Sequence, residues 1–269
     1  MPILMQVRAP NRRQAVHNSA MSLQLLPPPQ SGFLGIVMLH TQFPRPRGDI
    51  GHPETFKVPV HKEMVRGIWP ATVVATAASL RQARIVPSFQ AIVRNLELRG
   101  AKAITTSCGF LVLMQKELQS VARVPVVTSS LLQLPALLKT QQRVGVLTIS
   151  GSLLGKEFLK AAGVPRERLA DVLVQGVDPT GEFATRILGN QNVMNLDKAR
   201  ADVVAAAVAL KARAPDLTTV LLECTNMPPY LSAMQEATGL QFLSLIDDAR
   251  LMKPFTMADS NSTQVLQKK

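Results

Sequence analysis

Ala103-Ile104-Thr105-Thr106-Ser107-Cys108-Gly109-Phe110 and Leu222-Glu223-Cys224-Thr225-Asn226-Met227-Pro228-Pro229 hold the two cysteines of the chain. Each cysteine ends a run that reads as a strand. Ala101 to Ser107 leads into Cys108, and Thr219-Val220-Leu221-Leu222-Glu223 leads into Cys224. Near-continuous apolar runs of this length suit parallel strands covered on both faces. Sixteen residues separate Cys108 from the next strand at Val124, and sixteen separate Cys224 from Leu240. Each half also opens with a strand that carries a glycine: Gly32 to Leu39, with Gly35, and Val144 to Ile149, with Gly145. The chain therefore reads as a degenerate duplication, visible in pattern and not in identity.

Helical signals lie between these strands. Phe89, Ile92, Val93 and Leu96 fall at helical spacing after Pro87-Ser88, and Arg99-Gly100 closes that helix. Phe110 to Val121 has helical length. Ala201 to Ala214 reads as a helix with Val204, Val208 and Lys211 on one side, and Met234 to Ala237 as part of another. Strands follow at Val124 to Val127 and Leu240 to Ile246, and the Pro- and Gly-rich residues 41–59 read as a long loop. Alternating strands and helices imply an α/β fold with parallel sheets and right-handed crossovers. Ligands of such sheets bind at the carboxyl ends of strands. Both cysteines lie at such ends, so two related lobes would bring them together across one cleft.

Composition narrows the function classes. The chain has 269 residues, 46% hydrophobic, with a formal net charge of +12. Aromatic residues make up 4%, with a single Trp69 and a single Tyr230, which argues against a base-stacking nucleic-acid surface. No apolar run approaches the roughly 18 residues of a membrane-spanning helix. A mild positive field favours small anionic substrates. Two cysteines in a chain of this length read as free thiols of a cytoplasmic protein. Residues 1–30 carry Arg8, Arg12 and Arg13 and no acid, and read as a disordered or mis-started extension, with Met21 an equally good start.

Two thiols on opposed lobes suit one reaction class. Inverting a carbon next to a carboxylate needs a base on one face and an acid on the other. A cysteine at a helix start has its thiolate favoured by the helix dipole and by free backbone N–H groups. The same N–H groups hold a substrate carboxylate and stabilise an enolate-like transition state. Such acid–base chemistry needs neither metal nor organic cofactor.

The two cysteine segments, together with the loop Phe43-Pro44-Arg45-Pro46-Arg47-Gly48-Asp49-Ile50-Gly51, resemble the aspartate/glutamate/hydantoin racemase superfamily over roughly residues 31–250. The resemblance implies two pseudo-two-fold related α/β lobes, each a parallel sheet flanked by helices, with the active site in the cleft between them. It implies two-base proton transfer by Cys108 and Cys224, no cofactor, and a small anionic or carbonyl substrate. A homodimer is expected from the resemblance alone. The residues after each cysteine, Gly109, Phe110, Thr225 and Asn226, are then expected to line the carboxylate site, with Thr41, Ser107 and Thr148 as further substrate contacts. The expected lobes are 31–130 plus 245–269, and 131–244, with Ser260 to Lys269 frayed.

Where glutamate racemases carry an Asp-Ser pair after the first strand, this chain has Leu39-His40-Thr41-Gln42. Where they have Asn-Thr after the first cysteine, it has Gly109-Phe110. These departures widen the expected substrates from aspartate and glutamate to hydantoins and other carbon acids. The cysteine pair argues against the one-cysteine arylmalonate decarboxylases. Two other readings stay open: a maleate-isomerase-like or decarboxylase-like enzyme with one cysteine as nucleophile, and a non-catalytic binding protein of the same fold. His40, His52 and His61 match no zinc spacing, although His40 at a strand end is a candidate auxiliary acid. Arg45 and Arg47 are candidate clamps for a second carboxylate, or simply solvated. Gly32, Gly35 and Gly48 form no dinucleotide fingerprint.

Overall fold

The computed structural model describes residues 32–256. The expectations for residues 1–30 and for Ser260 to Lys269 lie outside this range. Eight strands form two four-stranded sheets, every pairing parallel. The first contains β1 (Phe33–Leu39), β2 (Val60–Val65), β3 (Ala101–Thr106) and β4 (Val126–Val127), in the order β2-β1-β3-β4. The second contains β5 (Val144–Thr148), β6 (Val172–Gly176), β7 (Thr219–Leu222) and β8 (Gln241–Leu243), in the order β6-β5-β7-β8. The duplication read from the spacings is thus a repeat of strand order. In each sheet the opening strand lies inside, next to the strand that leads to the cysteine.

Helices cover the sheets. The first half carries α1 (Pro70–Val73), α2 (Ala77–Gln82), α3 (Val86–Leu98), α4 (Gln115–Gln119) and α5 (Leu134–Thr140). The second carries α6 (Lys156–Ala161), α7 (Glu182–Leu188), α8 (Leu196–Arg213) and α9 (Leu231–Thr238). In α3, Phe89, Val93 and Leu96 are buried, as their spacing predicts, and Ile92 packs at the margin of the core. Gly35 lets α3 approach, because a Cβ there would lie 3.1 Å from a Leu96 methyl. Gly145 does the same for α8: a Cβ would meet Leu217, Leu210 and Val220 within 2.9 Å. The two glycines that open the repeat therefore serve one purpose, close packing of a helix on an interior strand.

Several elements differ from their sequence reading. Phe110 to Val121 is not one helix but a 3₁₀ turn, Gly109–Met114, followed by the short α4. Its apolar residues are buried all round, so no 3.6-residue stripe separates the two. The α4 side chains Gln115 and Gln119 instead satisfy β4: Gln115 donates to Val126 O at 2.7 Å, and Gln119 accepts from Val126 N at 2.8 Å. Strand β4 is two residues long, and Ser244 ends the β8 run early by capping the turn Leu245–Asp247. Helix α8 begins at Leu196, where Asn195 caps the N–H groups of Asp197 and Lys198. Its buried face is Ala199, Val203, Ala206, Ala207 and Leu210, so the Val204/Val208/Lys211 side turns outward. Lys211 caps the other end, donating to Pro215 O and Leu217 O.

Edge strand β2 carries the partly exposed polar residues His61, Lys62 and Glu63, whereas edge strand β6 carries the short apolar run Val172-Leu173-Val174. At the other end of the chain, Leu245 and Leu251 pack with Leu34, Ile36, Met38, Ala103 and Val127, so the last described segment lies against the first sheet. Among the described residues no helix is long and apolar enough to cross a membrane.

Candidate active site

Strands β3 and β7 end just short of their cysteines, and the chain turns at once into short helical segments. Cys108 has extended backbone, φ −152°, at the head of the turn Gly109–Met114. The backbone N–H of Phe110 draws the Cys108 thiol down and that of Asn226 draws the Cys224 thiol down, each against a larger upward push. The N–H two residues downstream thus favours each thiolate.

The ends of the two strands are tied together across the molecule. Ser107 N donates to Val37 O at 3.0 Å, and Leu39 N donates to Ser107 Oγ at 2.9 Å. Thr225 Oγ1 donates to Ser107 O at 2.8 Å, joining the two cysteine segments directly. Ser130 Oγ donates to Leu222 O at 2.7 Å. On the opposite rim Gln42 N donates to Asn190 Oδ1, and Gln42 Nε2 donates to Asn190 O, both at 2.9 Å.

Residues of the 41–59 loop reach Cys224 through a chain of polar groups. Arg45 donates to Thr41 Oγ1 and to Asp49 Oδ1, each at 2.7 Å. Asn226 Nδ2 donates to Asp49 Oδ2 at 2.6 Å, and the Cys224 thiol donates to Asn226 Oδ1 at 3.6 Å. Asp49 is buried and Arg45 nearly so. Arg45 is therefore committed to Asp49, and Arg47 is exposed on a loose pair with Glu54, so neither is a free clamp for a second carboxylate.

Glu223 is a second buried acid beside the cysteines. Its Oε2 accepts from Thr148 Oγ1 at 2.7 Å, and its Oε1 is buried without a hydrogen-bond partner. The carboxyl lies against Gly109, where any Cβ would run into Glu223 Oε1 and the Glu223 carbonyl. Burial pushes the Glu223 carboxyl up to about 7, against the opposing Thr148 hydrogen bond. Burial also raises both thiols, and the Glu223 charge raises both further. Cys224 is held up in addition by the charges of Cys108 and Asp49.

Both cysteines line one narrow cavity of about 20 Å³, room for a single water. Thr41, Ser107, Gly109 and Phe110 line it from the first half, and Glu223, Thr225 and Asn226 from the second. Leu39, Phe43, Pro70, Val74, Ile149 and Ile187 make the rest of the wall apolar. Of the expected catalytic residues and substrate contacts, Thr148 stands outside, its hydroxyl turned to Glu223. His40 also stands outside: it stacks on Trp69 with ring centroids 4.0 Å apart and accepts from Gly67 N. Glu223, Asp49 and Tyr230 received no role from the sequence. Burial raises the Tyr230 hydroxyl to about 12, and it too is buried without a partner. A lone acid ending an apolar strand beside a cysteine was the available signal for Glu223. Among the described residues no group of three or more His, Cys, Asp or Glu is arranged to hold a metal ion.

The sequence compares with known proteins in the same sense. The family model described as Asp/Glu/Hydantoin racemase matches residues 68–249. The chain belongs to that family. A dimethylsulfoniopropionate lyase of Durusdinium sp. clade D is 30% identical over 223 residues, covering 80% of this chain and 72% of that protein. Dimethylsulfoniopropionate lyase 7 of Emiliania huxleyi (strain CCMP1516) is 28% identical, covering 79% of this chain and 64% of that longer protein. Among solved structures, arylmalonate decarboxylase superposes with a TM-score of 0.53 at 14% identity, covering 84% of this chain and 92% of that one. A glutamate racemase isoform from Bacillus anthracis superposes with 0.51 at 16% identity, covering 85% and 82%. The two superpositions establish the two-lobed racemase fold.

Proposed function

We propose that the protein is a cofactor-independent lyase that removes the proton alpha to a carboxylate and expels a leaving group from the beta carbon. The observation that carries this reading is the shared cavity. Two thiols, each drawn down by the backbone N–H two residues on, border a small and largely apolar space. Such a space suits carbanion chemistry, because it excludes water and leaves fixed N–H donors to meet developing charge. The relatives at 28–30% identity point to the leaving group, since their names make dimethylsulfoniopropionate the first substrate to test.

In this reading the Cys108 thiolate takes the alpha proton. The C–H electron pair becomes the carbon–carbon double bond, and the C–S bond breaks with its pair leaving on sulfur. Acrylate and neutral dimethyl sulfide result, and the proton on Cys108 returns to solvent. Cys108 is assigned as base because Glu223 opposes both thiolates, whereas Asp49 opposes that of Cys224 in addition and the Cys224 thiol is held as a donor to Asn226 Oδ1. Cys224, donating to Asn226 Oδ1, is suited to remain a thiol and to donate to the enolate oxygen. The matched N–H donors two residues beyond the cysteines favour a second reading, inversion of an amino acid or hydantoin by both thiols.

Purified protein given dimethylsulfoniopropionate is expected to release acrylate and dimethyl sulfide in equal amounts. Single enantiomers of aspartate, glutamate and 5-substituted hydantoins, run in parallel, are expected to stay unchanged. Inversion of one of these with no acrylate would replace elimination by racemisation.

A further inference from the structure

The cavity holds an acid that nothing balances. Among the described residues that line it there is no Lys, Arg or His. Arg45, a nearby cation, is spent on Asp49 and Thr41. Glu223 is 1% exposed, and one of its carboxyl oxygens has no partner. A buried carboxylate without a partner is costly, and three things relieve it: a hydrogen-bond donor, a proton or a cation. The donor side is already limited. Thr148 takes Oε2, while the glycine at 109 is what lets the carboxyl sit beside the Cys108 segment at all.

We propose that Glu223 is the subsite for a cationic group on the substrate, so that the site selects zwitterions carrying a carboxylate and, two carbons away, a methylated sulfonium or ammonium. The proposal rests on the elimination reading and specifies its substrate class. An onium group suits the place for two reasons. Its methyls are compatible with the apolar wall of Phe43, Pro70, Val74, Ile149 and Ile187. Its charge needs no directed hydrogen bond, so it fits an oxygen that no donor reaches. The carboxylate end is left to the N–H groups that follow the cysteines. The same cation serves the chemistry, because its charge beside Glu223 offsets the charge that opposes the Cys108 thiolate. An empty site would then keep its thiols protonated, and the substrate itself would bring the charge that lets the base form.

The test separates charge from shape. Isothermal titration is used to measure binding of N,N,N-trimethyl-β-alanine, whose amine leaves poorly, and of 4,4-dimethylpentanoate, its neutral carbon isostere. The wild-type protein is expected to bind the zwitterion at least about tenfold more tightly. Glu223→Gln is expected to bring the two within about twofold, and Glu223→Asp to keep part of the preference. Equal binding by the wild-type protein, or a preference that survives Glu223→Gln, overturns the proposal. Should Glu223→Gln fail to fold, the wild-type comparison and Glu223→Asp decide the question. The elimination reading fails separately. A tenfold preference with no acrylate formed from dimethylsulfoniopropionate keeps the cation site and removes the reaction. Acrylate formed by a protein that binds both ligands equally keeps the reaction and removes the site.

Discussion

Cys108 follows β3 and Cys224 follows β7, in sheets of the same strand order, and each thiol is drawn down by the backbone N–H two residues on. Beyond that match the two half-sites part. Around Cys224 there is a built network: its thiol donates to Asn226, which is held by Asp49, which is held by Arg45. Around Cys108 no side chain among the described residues bonds to the sulfur, and its neighbour Gly109 lies against Glu223, whose Oε1 has no hydrogen-bond partner. The difference teaches how a duplicated fold separates the duties of two chemically identical groups. The backbone supplies the same donor twice, and side chains then fix one thiol in its protonated form. The other is left to a single charge that a proton or ligand can remove.

The sharpest way to break the comparison is to replace each sulfur by oxygen. Serine keeps a donor but cannot supply an anion at neutral pH. Cys108→Ser is expected to lower kcat for acrylate formation by about 10²–10⁴-fold, the usual worth of a positioned base. Cys224→Ser, which keeps its hydrogen bond, is expected to lose less than about tenfold. Equal, near-complete losses in a steady-state assay would make the half-sites functionally symmetric, as two-thiol inversion requires.

Glu223 predicts a pH signature. Its carboxyl is raised by burial from 4.5 to about 7 in the folded protein. A raised folded value means that the full stability is present below about 4.5 and is lost as pH rises through about 7. The loss is about 3 kcal/mol by linkage. Urea denaturation at pH 4.5 and pH 8.5 is expected to show this drop in the wild-type protein and not in Glu223→Gln. A drop of the same size in both would place the titration elsewhere than at Glu223.

Asp49→Asn tests the other half-site. It removes the charge from two short hydrogen bonds, to Arg45 and to Asn226, and is expected to cost about 2 kcal/mol in chemical denaturation. Because Asp49 opposes the Cys224 thiolate and is absent from the causes that shift Cys108, alkylation of Cys224 is expected to quicken relative to Cys108. Mass spectrometry of the alkylated peptides reads that ratio, and a change confined to Cys108 would reverse the assignment.

The smallest effect is expected at the rim. Asn190→Gly suits the positive φ of 49° found there and removes the side-chain contacts to Gln42 and His40. The 42–190 contacts lie within three residues of the cavity-wall positions Thr41 and Ile187. The variant is expected to lose about 1 kcal/mol of stability and to raise the association rate of the trimethyl-β-alanine ligand. An unchanged rate in stopped flow would show that the 42–190 contacts do not gate entry.

How much of this was legible in the sequence follows from what each residue does locally. The two cysteines ended apolar runs at equal spacings, so both lobes and the site between them could be read from pattern. Ser107, Gly109, Phe110, Thr225 and Asn226 were legible because they adjoin the cysteines, and all five line the cavity. Strand β2 was not, because its half-exposed edge carries His61, Lys62 and Glu63 in place of an apolar run, nor was β6, whose apolar run, Val172-Leu173-Val174, is shorter than the roughly four to eight residues that mark a strand. The Phe110 to Val121 segment misled because burial on every side erases helical periodicity. Asp49 and Glu223 escaped because their importance is tertiary: one meets Asn226 across 177 residues and the other meets Thr148 across 75. Arg45 was noticed for a role that its ion pair with Asp49 denies it.

The central claim is that Cys108 is the base and Cys224 is not, and proton exchange tests it most directly. Substrate incubated in deuterated water with each serine variant is recovered before turnover completes, and deuterium at the alpha carbon is counted by NMR. Exchange or deuterium-dependent turnover is expected with Cys224→Ser and none with Cys108→Ser. Alpha exchange catalysed by Cys108→Ser at a rate near that of the wild-type protein would contradict it.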